Sequence, residues 1–239
     1  MLQLNTFGGL TLRMGDAQLT GPPTQRRRLA LLALLAVAGD RGMSREKLLA
    51  LLWPESDEPK ARHALNQILF AQKRHFDDAQ LFEGRKTLRL NPSQITSDVR
   101  VFEAAIGRGA PEEAADVYAG PFLDGFFLSN SNEFEQWATD QRERYANLCA
   151  GAVEAAAKRA ADAGDFAAEV KWNRRAVELD PLAARRVMKL AESLAVSGDR
   201  SGAIRALRSY QDRIRKELGV SGDPDIERRI ASFSADMGR

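Results

Sequence analysis

Residues 59–76, PKARHALNQILFAQKRHF, hold the side chains of this chain that are best suited to binding a polyanion. Wound as a helix at about 100° per residue, the segment has one basic, amide-rich arc and one mostly apolar arc. Lys and Arg neutralise phosphates, and Asn and Gln can pair with purine edges in a DNA major groove. The segment therefore predicts a recognition helix, and the alternative is an ordinary surface helix with a solvated charged face. The polar arc consists of Arg62, His63, Asn66, Gln67, Phe70, Lys73 and Arg74, and the apolar arc of Ala61, Ala64, Leu65, Ile68, Leu69, Gln72, His75 and Phe76.

The segments before this helix predict short strands and two further helices. Alternating residues around glycine turns indicate two or three strands. Ser44 is a suitable N-cap for the second helix, and Asp57 or Glu58 is a suitable N-cap for the third. The expected ranges are 2–19 for the strands, 26–38 for the first helix and 45–53 for the second.

A basic hairpin is expected directly after the third helix. Residues 80–83 and 87–90 are strand-like, and they are joined by Gly84, Arg85 and Lys86. Strands, three helices and a basic hairpin in this order form a winged helix-turn-helix, whose third helix enters the major groove while the hairpin reaches phosphate. Taken singly, the hairpin tip is equally well explained as a solvated turn.

Charge is distributed unevenly along the 239 residues, a length that allows one or two domains. Residues 1–100 contain 15 Lys and Arg against 10 Asp and Glu, a net charge of +5. The remainder contains 20 against 23, a net charge of −3. A polyanion-binding surface is therefore expected in the first half.

A cytoplasmic location with no membrane partner is expected. Cys149 is the only cysteine, which excludes a disulfide within the chain and favours a buried structural thiol. The first residues lack the basic and apolar regions of a signal peptide. The most apolar segment, residues 29–38, is too short to span a bilayer and is expected to be a core helix.

From Asp98 onward the sequence predicts Ala-rich helices. A long helix over residues 132–163 is followed by two Gly-Asp pairs, at Gly164 and Gly198, which lie 34 residues apart. This spacing is the period of tetratricopeptide repeats, in which paired helices stack on their neighbours.

The expected fold class is mainly α. A winged helix-turn-helix with small β-sheets occupies residues 1–97, and an all-α, tetratricopeptide-like superhelical domain occupies residues 98–239. An aromatic cluster in the second part is expected to be packing rather than the lining of a ligand pocket. Its members are Phe122, Phe126, Phe127, Phe134 and Trp137.

Enzyme chemistry is not expected. The only histidines, His63 and His75, lie on different faces of the third helix and cannot share a metal. Acidic pairs such as Glu112-Glu113 have no histidine or nucleophile beside them, and no GxxxxGK phosphate loop occurs. No catalytic residue, metal site or cofactor is therefore predicted.

A series of motifs follows one another across nearly the whole chain: RRRLALLALLAVAGDRGMSREKLLALLWPES, ARHAL, LRLNPSQITSDVRVFE, YAGPFLDGF, EFEQWATDQRERY and KELGV. In order and spacing they resemble the bacterial transcriptional activators related to antibiotic regulatory proteins. That family joins a response-regulator-type winged helix to a bacterial transcriptional activator domain of tetratricopeptide-like helices.

The resemblance implies sequence-specific binding to double-stranded DNA, usually at direct repeats near promoters, with recruitment of RNA polymerase. The helical domain would serve dimerisation or contact with RNA polymerase or another regulator. Lys73 and Arg74 would touch phosphate, and Asn66 and Gln67 would recognise bases. The implied contact residues are Arg62, Asn66, Gln67, Lys73 and Arg74 on the third helix and Arg85 and Lys86 on the wing.

The sequence departs from the family pattern at Phe70, Ala71 and Gln72, where a small polar residue, an Arg and a Leu are usual. Phe70 would contact a thymine methyl or mark a surface for protein binding. His63 would hydrogen-bond DNA or lie solvated. The alternative function is therefore a protein-interaction adaptor whose winged helix no longer binds DNA. A ligand-sensing domain fused to a DNA reader is a third interpretation.

Overall fold

The structure, a computed structural model, describes residues 1–76 and 80–235. The described residues form two compact units that divide between Leu148 and Cys149, and each has its own buried core. The predicted fold class is confirmed, because the chain is mainly α and a winged helix-turn-helix with small sheets precedes an all-α part.

Short strands of the first unit form small sheets in which buried leucines alternate with more exposed residues. In the first sheet the strand order is β3-β2-β1-β7, with β1 antiparallel to β2 and parallel to β7. In the second sheet the order is β4-β6-β5, all antiparallel. The strands are β1 (Leu2–Asn5), β2 (Thr11–Met14), β3 (Ala17–Gln18), β4 (Met43–Ser44), β5 (Phe82–Glu83), β6 (Thr87–Leu90) and β7 (Ile95–Ser97).

The helices of the first unit follow the predicted ranges closely. Ser44 caps the second helix through a hydrogen bond from the Lys47 backbone N–H, as expected, and Trp53 ends it. The helices are α1 (Arg26–Ala38), α2 (Arg45–Leu52), α3 (Glu58–His75), α4 (Asp98–Gly107), α5 (Pro111–Val117) and the beginning of α6 (Asn132–Asp162).

Helix α1 is the centre of this unit. Every residue from Leu29 to Ala36 is buried, so the helix is covered on all sides rather than on one face. It packs against α2, α4 and β6. Helix α2, which precedes the third helix, and strand β6, which follows it, therefore pack on the same buried helix.

The Asp98 carboxylate joins the start of α4 to the end of β1. Its Oδ2 accepts hydrogen bonds from the backbone N–H groups of Thr6 and Phe7 at 2.7 and 2.9 Å. Its Oδ1 accepts from the Thr6 hydroxyl at 2.6 Å and from the Val99 N–H at 2.7 Å. Both oxygens thus face donors only.

The predicted aromatic cluster is packed, except for one member. Phe122, Phe126 and Phe134 are buried, and Trp137 lies 5.9 and 5.3 Å from the rings of Phe122 and Phe134. Phe127 is 60% exposed, so its assignment to the cluster was wrong. Residues 126–128 alternate buried, exposed and buried, which turns this side chain outward.

The second unit consists of helices that pack against their sequence neighbours. The two predicted Gly-Asp pairs have matching structures: Gly164 and Gly198 both have positive φ, at 71° and 93°. Asp165 and Asp199 then cap the next helix, accepting from backbone N–H groups at 2.9 and 2.7 Å. The helices are α7 (Phe166–Leu179), α8 (Ala184–Val196), α9 (Arg200–Leu218) and α10 (Pro224–Ala235).

Within residues 1–76 and 80–235, no helix combines the length and the apolarity that a membrane crossing needs.

Asp98→Asn is expected to destabilise the first unit by about 2 to 3 kcal/mol, because the amide nitrogen would face hydrogen-bond donors. Urea unfolding followed by circular dichroism measures the change. Asp124→Asn, at an exposed acid of the same unit, should leave the unfolding midpoint unchanged. Equal midpoints for the two variants would contradict the role of Asp98.

Candidate nucleic-acid interface

Helix α3 begins at a well-formed cap. The Asp57 carboxylate accepts a hydrogen bond from the Lys60 backbone N–H at 3.0 Å, and Pro59 lies in the first turn. Hydrogen bonds from the Lys60 side chain and backbone lower the pKa of Asp57, which keeps the cap ionised.

The two predicted arcs of α3 differ in exposure as the sequence indicates. All seven residues of the polar arc are exposed. On the apolar arc Ala61, Leu65 and Gln72 are buried, so the amide of Gln72 does enter the core. His75 was assigned to the apolar arc but is exposed, because it is the last residue of the helix.

The wing is the hairpin of β5 and β6. Gly84 has a φ of 91°, and a Cβ atom there would clash with the carbonyl oxygen of Thr87, so only glycine fits this turn. The side chains of Arg85 and Lys86 at the tip are exposed, as predicted. Both sequence-predicted parts of the site are therefore solvent-accessible.

Arg45, the first residue of α2, connects the third helix to the wing. Its Nη1 donates to Asn66 Oδ1 at 3.0 Å, and its Nε donates to the Arg85 carbonyl at 2.6 Å. Its backbone N–H donates to the Lys86 carbonyl at 3.1 Å. The polar arc and the wing tip thus belong to one surface.

Sequence reasoning missed Arg45, although one signal was present. A cation at the first position of a helix is opposed by the positive end of the helix dipole. An arginine at this position therefore indicates an interaction that offsets the unfavourable dipole. In Arg45 that interaction is the pair of hydrogen bonds to Asn66 and the wing.

Arg62 is held by acidic side chains at the start of α3. Its Nε and Nη2 donate to Glu58 Oε1 at 2.9 and 2.5 Å, and Glu46 Oε1 lies 4.0 Å from Nη2. All three side chains are largely exposed, so these ion pairs add little to stability. Negative charge therefore lies at one end of the polar arc, while Lys73 and Arg74 lie at the other.

Phe70 is the apolar member of the polar arc, and its side chain is 63% exposed. The Arg74 guanidinium lies 6.0 Å from the centre of its ring. Beside it, a recess of about 260 Å³ separates α3 from the wing. The residues that line this recess with Phe70 include Arg45, Leu69, Lys73, Leu81, Phe82 and Leu88.

The side chains of His63 and Gln67 are hydrogen-bonded to each other. Gln67 Nε2 lies 2.8 Å from His63 Nε2, one helical turn away on the exposed face. Both are accessible, and either can exchange this contact for another hydrogen-bonding partner.

The second half of the chain matches the model of a known protein family. Residues 97–232 match the model of the bacterial transcriptional activator domain, which is more than half of the sequence. The chain belongs to the bacterial transcriptional activator domain family. The resemblance inferred from the sequence motifs is thereby confirmed.

A solved structure shares the fold of this family member. It is the structure of Mycobacterium tuberculosis EmbR in complex with a low-affinity phosphopeptide, with a TM-score of 0.59 and 19% sequence identity. The match covers 98% of the present chain and 65% of the EmbR chain, so the present chain spans about two thirds of that protein. At this identity the similarity extends to the fold alone. No curated protein matches the sequence significantly.

The single cysteine of the chain lies in the core. Cys149 is buried, as predicted, and burial raises the pKa of its thiol to about 11, against the opposing effect of Arg175 and Arg186. The thiol is therefore protonated at neutral pH and a weak nucleophile. Among the residues that the structure describes, no group of His, Cys, Asp and Glu could hold a metal ion.

Arg45→Ala is expected to loosen the wing, because the Arg85 carbonyl and the Asn66 amide lose their shared donor. The backbone amides of residues 84–87 should exchange with deuterium about threefold to tenfold faster, the range of one or two lost hydrogen bonds. Lys47→Ala removes the same charge from the same helix without touching the wing and should leave these rates unchanged. Equal exchange in the two variants would rule out the connection.

Proposed function

We propose that this chain is a sequence-specific DNA-binding regulator that activates transcription. Helix α3 enters the major groove of promoter DNA with its polar arc, and the wing contacts the adjacent phosphates. One observation carries the proposal: the polar arc and the wing tip are exposed together and joined by Arg45. A surface helix with merely solvated charges would not need such a connection.

Each part of the surface has its own task. Lys73 and Arg74, with Arg85 and Lys86 on the wing, neutralise phosphates and fix the register of the protein on the duplex. Asn66 and Gln67 precede Lys73 and Arg74 on the helix and recognise base edges.

Arg62 and His63 lie nearer the start of α3 and make further contacts there. Arg62 first has to leave Glu58, with which it is paired in the absence of DNA. Binding of phosphate by Arg62 therefore competes with an existing ion pair.

The helical part completes the regulator. We place the boundary of the DNA-binding domain after residue 97, so that the helical domain comprises residues 98–239. The family match over residues 97–232 supports this division. This domain serves homodimerisation or contact with RNA polymerase or another regulator. Direct repeats in the bound DNA would indicate two chains in the same orientation.

DNA binding should weaken steeply with salt, because each neutralised phosphate releases counterions. The logarithm of the association constant should fall against the logarithm of salt concentration with a slope of about −0.9 per phosphate. Lys73→Ala should make the slope shallower by about 0.9 and weaken binding to all duplexes alike. Fluorescence anisotropy on a duplex enriched from a random pool measures both effects.

Lys216→Ala provides the control for this experiment. It removes an exposed lysine from the helical part and should leave affinity and slope unchanged. Failure of the full chain to enrich any duplex would refute the proposed function.

Glu58→Gln is expected to strengthen DNA binding, because it removes one negative charge beside the phosphates and releases Arg62. At low salt the gain should be about twofold, the value for one charge at about 10 Å in water. Glu143→Gln, at an exposed acid on α6, should have no effect. Unchanged or weaker binding by Glu58→Gln would show that Arg62 does not approach DNA.

An adaptor function is the second candidate, and Phe70 favours it. An aromatic ring that is 63% exposed within a polar surface is a common feature of protein-binding sites. Selection from random duplexes separates the two functions, since an adaptor would enrich no sequence motif.

A further inference from the structure

We infer that Asn66 and Phe70 together recognise a single thymine. The inference rests on the proposed function, because it specifies what the polar arc of α3 recognises in the major groove. It follows from two independent features of the surface, the orientation of one amide and the exposure of one ring.

The first feature is the orientation of the Asn66 side chain. A guanidinium only donates hydrogen bonds, so the contact of 3.0 Å from Arg45 Nη1 places the amide oxygen toward Arg45. The amide nitrogen then faces away from it, on the exposed side of the helix. Asn66 is thereby presented mainly as a hydrogen-bond donor.

This orientation disfavours the usual partner of asparagine. Recognition of adenine needs both ends of the amide, because the oxygen accepts from N6 and the nitrogen donates to N7. Here the oxygen is engaged and lies beside a positive charge. A base that offers an acceptor fits better, which leaves O4 of thymine, O6 and N7 of guanine, and N7 of adenine as a single contact.

The second feature is Phe70, which decides among these three bases. It follows Asn66 by four residues, so the two side chains are neighbours on one face of the helix, about 6 Å apart at their Cβ atoms. Phe70 is 63% exposed, and Lys73 and Arg74, one turn further along the helix, are exposed as well. In unmodified DNA the apolar group on the major-groove edge is the C5 methyl of thymine.

Thymine alone combines the two complementary groups. Its O4 atom and its C5 methyl are adjacent on the same ring edge, where one accepts a hydrogen bond and the other makes an apolar contact. Guanine and adenine offer acceptors without an apolar group, and would leave the Phe70 ring against polar atoms.

The experiment changes one group of the base at a time in the duplex enriched by the chain of residues 1–239. Replacing a thymine by deoxyuridine removes only the methyl group. Replacing its T·A pair by 5-methylcytosine·G keeps the methyl and turns the acceptor O4 into a donor. Fluorescence anisotropy is recorded at every thymine position for the wild type, Phe70→Ala and Asn66→Ala.

At one thymine position, deoxyuridine should weaken wild-type binding about fourfold, the effect of one buried methyl group. At the same position 5-methylcytosine should weaken it about fivefold or more. Phe70→Ala should lose the response to deoxyuridine and keep the response to 5-methylcytosine. Asn66→Ala should show the opposite pattern, which is a double dissociation that a general loss of affinity cannot produce.

Phe127→Ala is the matched control, because Phe127 is a phenylalanine of nearly equal exposure, 60%, outside α3. It should retain both responses. An enriched duplex without such a thymine position overturns the inference and leaves DNA binding intact. A deoxyuridine response that persists in Phe70→Ala overturns it as well. Failure to enrich any duplex overturns the inference together with the proposed function.

Discussion

The complete burial of α1 is the constraint on which the first unit depends. A helix with one apolar face can rotate or slide when its partners change, but residues 29–36 contact other side chains in every direction. The arginines that precede them fix the beginning of the helix: Arg27 donates to the Leu52 carbonyl at 3.2 Å, and Arg26 donates to the Phe127 carbonyl at 2.7 Å. Helix α2 and strand β6 both pack on α1, and α3 packs on α2. The packing on α1 therefore sets the distance between α3 and the wing.

Much of this arrangement could be predicted, because it depends on patterns of residues that are close together in the sequence. The 3.6-residue period placed the arcs of α3 correctly from residue 61 to residue 74. Ser44 and Asp57 are short polar residues directly before a helix, and both cap it as such residues do. The 34-residue spacing of two Gly-Asp pairs likewise corresponds to two matching helix ends.

The remainder depends on contacts between elements that are far apart in sequence or on the exact end of an element. Arg45 meets Asn66 and Arg85 only after α2 and the wing have packed on α1, so no local pattern gives their distances. The pairing of Arg62 with Glu46 depends in the same way on how α2 and α3 cross. Phe127 is exposed because burial alternates from one residue to the next over residues 126–128. His75 is exposed because α3 ends there. The sequence patterns that identify whole helices and strands do not resolve single positions of this kind.

The contact between Arg45 and the wing uses the carbonyl oxygen of Arg85 rather than its side chain. Every residue type has such a carbonyl, so the tip of the wing can accept substitutions during evolution while its position stays the same. Asn66 has no such freedom, because its contact with Arg45 uses the side-chain amide. The wing tip and position 66 can therefore diverge separately among family members: the tip is permissive, whereas position 66 is constrained together with position 45.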